Sequence, residues 1–316
     1  MLAPAAVFLL GLVILVVGAE CLLRGAVRVA RALGVSPFVI GFTLVGFGTS
    51  APELVVGLSA ALRGSPGIAL GNIVGSNIAN VGLILGVAVL IRPLRANMRL
   101  LKVGGPMVVG ASLLLWFLCR DNTLSRTDGY VLLAGFAALA AYMYRAARAE
   151  PPPVKEEIGK GAESKMRVWV AAVLVAVGLG GLIGGADLMV VAAVEMATAF
   201  GVSPWLIGLT VVAVGTSLPE LAATGAAAWR GEADIALGNV LGSNLFNILL
   251  VLGTTVVVSP MRLGDSDLFR ELPAMVLFAV LLVAVVANGL TVYRWEGAVL
   301  LAAYAGFIAW QVVGAM

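Results

Sequence analysis

The chain has 316 residues, 61% of them apolar and 12% charged, with a mean hydropathy of +1.07. A soluble domain carries roughly a quarter charged residues, so the composition excludes that class and describes an integral membrane protein whose solvent is the lipid bilayer. The net charge of +3 comes with no basic cluster of the kind that binds nucleic acid, and the complete absence of histidine removes the commonest transition-metal ligand and general base.

The N-terminal stretch MLAPAAVFLLGLVILVV lacks the positive start of a signal peptide and reads as the first span of the mature protein. A helical crossing needs about 20 apolar residues. On that measure the sequence predicts ten: 3–31, 36–62, 66–90, 99–119, 127–147, 167–199, 203–229, 233–257, 271–289 and 292–314. The fifth and sixth are separated by RAARAEPPPVKEEIGKGAESKMR, whose prolines, glycines and mixed charges describe a solvated linker over 148–166. Cys21 and Cys119 sit in apolar segments and read as packing residues.

With the N-terminus outside, the inner face receives fifteen of the twenty basic residues, among them Arg24, Arg92, Lys102, Arg230 and Arg294. The outer face receives five: Arg63, Arg120, Arg126, Arg262 and Arg270. The positive-inside rule selects this orientation, with both termini outside and the linker in the cytoplasm.

The sequence repeats itself. Residues 34–86 match residues 201–253 without a gap at 30 of 53 positions, an offset of 167. GTSAPEL (48–54) returns as GTSLPEL (215–221), and ALGNIVGSNIAN (69–80) as ALGNVLGSNLFN (236–247). Five spans separate each segment from its copy, and an odd number means that the second copy enters the membrane from the opposite side. The fold class expected is therefore an all-α membrane protein of ten transmembrane helices arranged as two inverted five-helix repeats, 1–147 and 167–316. Such repeats characterise transporters, with substrate sites near the midplane where interrupted helices meet.

The repeated segments supply the interruptions. Pro52 and Pro219 lack an N–H and crowd the carbonyls of Gly48 and Gly215, so an unwound turn is expected at each. Carbonyls freed in this way need a partner in hydrocarbon, and a cation is one. Thr49 and Glu53 are four apart on one helical face, as are Thr216 and Glu220. Ionisable groups at this depth are expensive and mark function. Two carboxylates at a pseudo-two-fold axis carry a charge of −2, which one hard divalent cation such as Ca²⁺ would neutralise. Asn72, Ser76 and Asn80 follow at steps of four on the third span, and Asn239, Ser243 and Asn247 on the eighth. Asn80 and Asn247 read as neutral oxygen ligands suited to a monovalent ion or to support of one, Asn72 and Asn239 as packing residues. Glu20 and Asp187 also correspond under the offset; partnership with arginine and a direct ion role are both open to them.

At these residues the sequence resembles the cation/Ca²⁺ exchanger superfamily, specifically the prokaryotic sodium/calcium exchangers. GTSAPE with GNIVGSNIAN, and GTSLPE with GNVLGSNLFN, look like its two α-repeats. The resemblance implies a central Ca²⁺ site of Glu53, Glu220 and the carbonyls of Thr49 and Thr216. It implies flanking Na⁺ sites, or support for them, from Ser50, Ser76, Asn80, Ser217, Ser243, Asn247 and the carbonyl of Ala213. Some members carry aspartate where this chain has Asn247; asparagine accompanies K⁺-independent exchange in related branches. The GNxxE pattern of proton/calcium exchangers is absent here.

The expected function is a Na⁺/Ca²⁺ antiporter of the plasma membrane, working by alternating access and serving Ca²⁺ extrusion. A monomer suffices, and no cofactor is needed beyond the transported ions. The first and sixth spans would slide against the ligand core. The alternatives are a K⁺-dependent or H⁺-coupled antiporter on the same scaffold and, against the inverted repeats, a Ca²⁺ channel. An enzyme is not expected, because no histidine and no Ser–Lys pair lies within the spans.

Overall fold

The computed structural model describes residues 2–62, 66–96, 98, 100–149, 166–199, 213–263 and 268–314. Residues 150–165 of the expected linker and 203–212 of the seventh expected span lie outside the described residues.

The protein is built of helices. In chain order they are α1 (Leu2–Leu33), α2 (Pro37–Ile40), α3 (Gly46–Thr49), α4 (Ala51–Leu62), α5 (Pro66–Ala79), α6 (Gly86–Ile91), α7 (Gly105–Leu118), α8 (Arg126–Ala149), α9 (Val168–Ala199), α10 (Ala213–Thr216), α11 (Leu218–Arg230), α12 (Ala233–Leu245), α13 (Gly253–Val258), α14 (Leu268–Ala287) and α15 (Arg294–Gly314). Four π-helical turns, Gly41–Val45, Asn80–Leu85, Leu100–Gly104 and Phe246–Leu252, join or extend them. Among the described residues, five helices are long and apolar enough to cross a membrane, or six when the bent pair α3–α4 with its preceding turn is taken as one.

Burial separates a centre from a periphery. The apolar windows 69–91 and 233–258 are 78% and 83% buried, whereas 4–30 and 168–193 are 33% and 28% buried. On the outer face of α1 stand Leu9, Val13, Val16 and Val17, and on that of α9 Val173, Val177 and Val191, all exposed. Such a surface suits lipid and not water.

The two peripheral helices pack on each other through glycine. A Cβ at Gly11 would stand 2.8 Å from the Gly185 oxygen, one at Gly18 2.8 Å from the Leu182 nitrogen, and one at Gly25 2.6 Å from the Ala171 oxygen. As one partner's number rises the other's falls, so α1 and its sequence copy α9 run antiparallel. Small residues allow this backbone-to-backbone approach where lipid supplies no hydrophobic drive. The central helices are interlocked across the halves: a Cβ at Gly41 would lie 2.6 Å from the Ile235 oxygen, so each repeat completes the core of the other.

Two short antiparallel strand pairs tie the loops. Leu94–Arg95 (β1) pairs with Thr291–Val292 (β4), and Thr123–Leu124 (β2) with Met261–Arg262 (β3). The first pair is extended by Ala96 N–H donating to Leu290 O at 2.7 Å, the second by Leu263 N–H donating to Asn122 O at 2.7 Å.

The glycine seam generates a prediction. Gly18→Val forces α1 off α9 and costs about 1–3 kcal/mol, read as a lower melting temperature of the detergent-solubilised protein. Gly180→Val is the control: nothing lies within 4 Å of its Cβ position, and its melting temperature is expected to match the unmodified chain.

Candidate ion-binding site

Two broken helices form the centre. Helix α3 ends at Thr49, Ser50 turns the corner with φ −81° and ψ 6°, and α4 starts at Ala51. The axis bends by 40° there. The second repeat does the same: α10 ends at Thr216, Ser217 has φ −90° and ψ 3°, and α11 starts at Leu218 with Pro219 in its first turn. Proline is welcome in a first turn, where no helical partner exists for its missing N–H. Glu53 and Glu220 stand in the first turns of α4 and α11, where the positive end of the helix dipole favours a carboxylate.

The side chains of the two repeats cross over. Ser50 Oγ donates to Glu220 Oε1 at 3.2 Å. Ser76 Oγ donates to Glu53 Oε1 at 3.4 Å and in turn accepts from Ser217 Oγ at 3.4 Å. Thr49 Oγ1 lies 3.3 Å from Asn239 Oδ1 and 3.4 Å from Ser243 Oγ. Its copy Thr216 Oγ1 donates to Asn72 Oδ1 at 3.4 Å. Ser243 Oγ also donates to Gly46 O at 3.4 Å, and Asn72 Nδ2 donates to Glu53 O at 3.4 Å. Glu53 is 0% and Glu220 1% exposed, so both carboxylates are shut off from solvent.

The shell leaves oxygen over. Glu53 Oε2, Glu220 Oε2, Asn77 Oδ1, Asn80 Oδ1 and both amide atoms of Asn247 are buried without a protein partner. Buried polar atoms are otherwise almost always paired. Among the described residues no three of His, Cys, Asp and Glu gather, so the charge of the cluster rests on the two glutamates. Carboxylate, hydroxyl and amide oxygens without sulfur or imidazole form a donor set for hard cations, Ca²⁺ and Na⁺ alike.

The residues read from the sequence are thus brought together in short hydrogen-bonded groups: Ser50 with Glu220, Ser76 with Glu53 and Ser217, Thr49 with Ser243, and Thr216 with Asn72. Asn80 and Asn247 are buried with unpartnered oxygens. Ala213 opens α10. Two features differ from the reading. The third and eighth spans are not uniform α-helices: a π turn begins at Asn80, and another covers Phe246–Leu252. Such wide turns recur at functional sites, and these re-aim Asn80 and Asn247. The sequence reading also passed over Asn77, Asn244 and Thr224. Asn80 Nδ2 donates to Asn244 Oδ1 at 2.9 Å, and Asn239 Nδ2 to Thr224 Oγ1 at 2.9 Å. The asparagine of each GSN was visible, since both copies keep it; Thr224 left no such trace, because its counterpart is Gly57.

Glu20 lies apart, accepting from Arg24 Nε and Arg230 Nη2 at 2.7 Å each. It joins α1 to α11 as a partner of arginine. Asp187, its copy, is exposed.

The model of the family described as sodium/calcium exchanger protein matches residues 3–145 and 170–313, once for each half. A putative antiporter, CaxA of Alkalimonas amylolytica, is 37% identical over 97% of this chain and 98% of its own. The sodium/calcium exchanger MaX1 of Methanosarcina acetivorans is 33% identical over 96% of both. Among solved structures, the sodium-calcium exchanger NCX_Mj soaked with 2.5 mM Na⁺ and 0.1 mM Ca²⁺ superimposes with a TM-score of 0.85 at 32% identity, over 98% of each chain.

The Thr224 brace is testable without ions. Thr224→Val leaves Asn239 Nδ2 buried without a partner, a cost of about 1–3 kcal/mol. A lower melting temperature in ion-free detergent solution is expected.

Proposed function

The chain belongs to the sodium/calcium exchanger protein family and is a multi-pass cation/Ca²⁺ antiporter, not an enzyme; on that premise we propose that it exchanges Na⁺ for Ca²⁺ by alternating access, with net charge moved in each cycle. The observation that carries this reading is the pair Glu53 and Glu220, fully buried, each with one carboxylate oxygen bound by a serine and the other without a protein partner.

In this reading Ca²⁺ sits between the two glutamates with the carbonyls of Thr49 and Thr216. Na⁺ ions take the same oxygens together with Ser50, Ser76, Ser217, Ser243, Asn80, Asn247 and the Ala213 carbonyl. One Ca²⁺ neutralises the −2 cluster. More than two Na⁺ over-neutralise it, so exchange carries charge, and each elementary charge contributes about 2.3 kcal/mol per 100 mV. A negative interior then favours Na⁺ entry and Ca²⁺ exit. An empty cluster has two carboxylates facing each other in a low-dielectric core, which opposes occlusion without ions and makes exchange obligatory.

The same proposal includes ten spans in two inverted units, 1–147 and 167–316, in the plasma membrane, with the 148–166 linker cytoplasmic and both termini outside. The strand pairs support it: ten crossings place β1 and β4 on the inner side and β2 and β3 on the outer side. Exposed aromatic residues fall into the same two levels, Trp169, Trp229 and Trp295 at inner ends and Trp116, Tyr130 and Trp310 at outer ends, as belts at the bilayer interfaces do. The glycine seam keeps α1 and α9 together as the moving pair, and a single chain carries every ligand, so a monomer suffices.

The experiment is ⁴⁵Ca²⁺ uptake into proteoliposomes under a Na⁺, K⁺ or H⁺ gradient. Na⁺-driven uptake that rises with an imposed potential is expected. Uptake driven by K⁺ or H⁺ alone would reassign the coupling ion. Glu53→Gln and Glu220→Gln are each expected to reduce Na⁺-driven uptake to background with the protein still folded; retained uptake in both would remove the site. Asn247→Asp adds a titratable group to the cluster and is expected to give uptake a new dependence on pH.

A further inference from the structure

Asn77 and Asn244 are the residues that neither the resemblance nor the ion-site reading uses. They are 2% exposed each, and they sit three residues before the ligand candidates Asn80 and Asn247. Asn80 Nδ2 donates to Asn244 Oδ1 at 2.9 Å, across the boundary between repeats. An amide held by its NH₂ end presents its carbonyl end, and Asn80 Oδ1 is the end without a protein partner. A cation is repelled by an NH₂ group and bound by a carbonyl oxygen, so this tie selects the orientation in which Asn80 is a ligand.

The offset of 167 turns the bond Asn80 to Asn244 into Asn247 to Asn77. That second tie is not made. Asn247 Nδ2, Asn247 Oδ1 and Asn77 Oδ1 are all buried and without a protein partner, and Asn77 Nδ2 donates to Ile73 O of its own helix at 3.0 Å. Asn77 therefore keeps an acceptor free for the Asn247 amide, as Asn244 does for Asn80. Two copies of one device stand in different states within one molecule.

We infer that Asn244 and Asn77 are positioning residues for the two amide ligands, and that the Asn77–Asn247 tie closes when Na⁺ loads on the Asn247 carbonyl. The inference rests on the ion-site reading above. It assigns to Asn77 a role in Na⁺ binding that leaves the Ca²⁺ site, anchored on the glutamates, nearly untouched.

The test is ⁴⁵Ca²⁺ binding to the purified full chain, titrated with Ca²⁺ and with Na⁺ as competitor, beside thermal unfolding. Asn77→Leu removes no bond between repeats in this conformer, so its melting temperature is expected to equal that of the unmodified chain. Removing a residue that orients a ligand costs ten- to a hundredfold in affinity; Na⁺ competition is expected to weaken by about tenfold or more while Ca²⁺ affinity changes by less than about threefold. Asn77→Asp retains an acceptor oxygen and is expected to compete for Na⁺ as well as, or better than, the unmodified chain. Unchanged Na⁺ competition in Asn77→Leu, equal losses for both ions, or a lowered melting temperature would each overturn the inference, the last by making Asn77 a structural brace. The unmodified chain is read first: if it binds no Ca²⁺ that Na⁺ displaces, the ion-site reading itself fails.

Discussion

Two carboxylates buried side by side in an apolar slab govern the rest of the molecule. Taking one ionised carboxylate out of water costs several kcal/mol even after the surroundings relax, and a second of the same sign adds repulsion. The protein does not cancel this charge internally: among the described residues no arginine or lysine pairs with Glu53 or Glu220. Instead it arranges neutral dipoles. Serine hydroxyls hold one oxygen of each carboxylate, Ser50 of the opposite repeat on Glu220 and Ser76 of the same repeat on Glu53, and the first turns of α4 and α11 supply oriented N–H groups. On the proposed reading the missing positive charge is brought in by the transported cation and leaves with it. A salt-bridged pair would be more stable and could not carry cargo.

Placing buried carboxylates at helix starts requires helices to begin inside the core, so each of the two segments must break. The corners at Ser50 and Ser217 do this, with proline just beyond them. A broken helix exposes backbone that lipid cannot satisfy, and the interlocked second repeat covers it. The close approach of Gly41 to Ile235 brings the two breaks together.

The halves are alike in sequence but not in state. Asn80 is tied across the repeat boundary and Asn247 is not. Thr224 braces Asn239, while the corresponding Gly57 has nothing to offer. Glu20 is clamped by two arginines, while Asp187 is exposed. The α1–α9 contact, by contrast, is a close antiparallel seam in which glycines of each helix meet the backbone of the other. Unlike states in like sequences suit the alternating access proposed above, in which each half would adopt the arrangement now held by the other.

By itself the sequence determined the class, the duplication and the identity of the central residues. Lipid exposure forces nearly every residue to be apolar, so each glutamate, proline or asparagine stands out, and repetition at a fixed offset removes chance. It could not determine the π turns at Asn80 and Phe246–Leu252, because helices apolar on every side carry no periodicity from which a change of pitch is read. Nor could it separate Asn77 from Asn80 in role, or pair Asn80 with Asn244. Those depend on the register in which two helices cross, and register is decided by packing between segments more than 150 residues apart in the chain. Composition and repetition are properties of the chain, while the aim of an amide is a property of its neighbours in space.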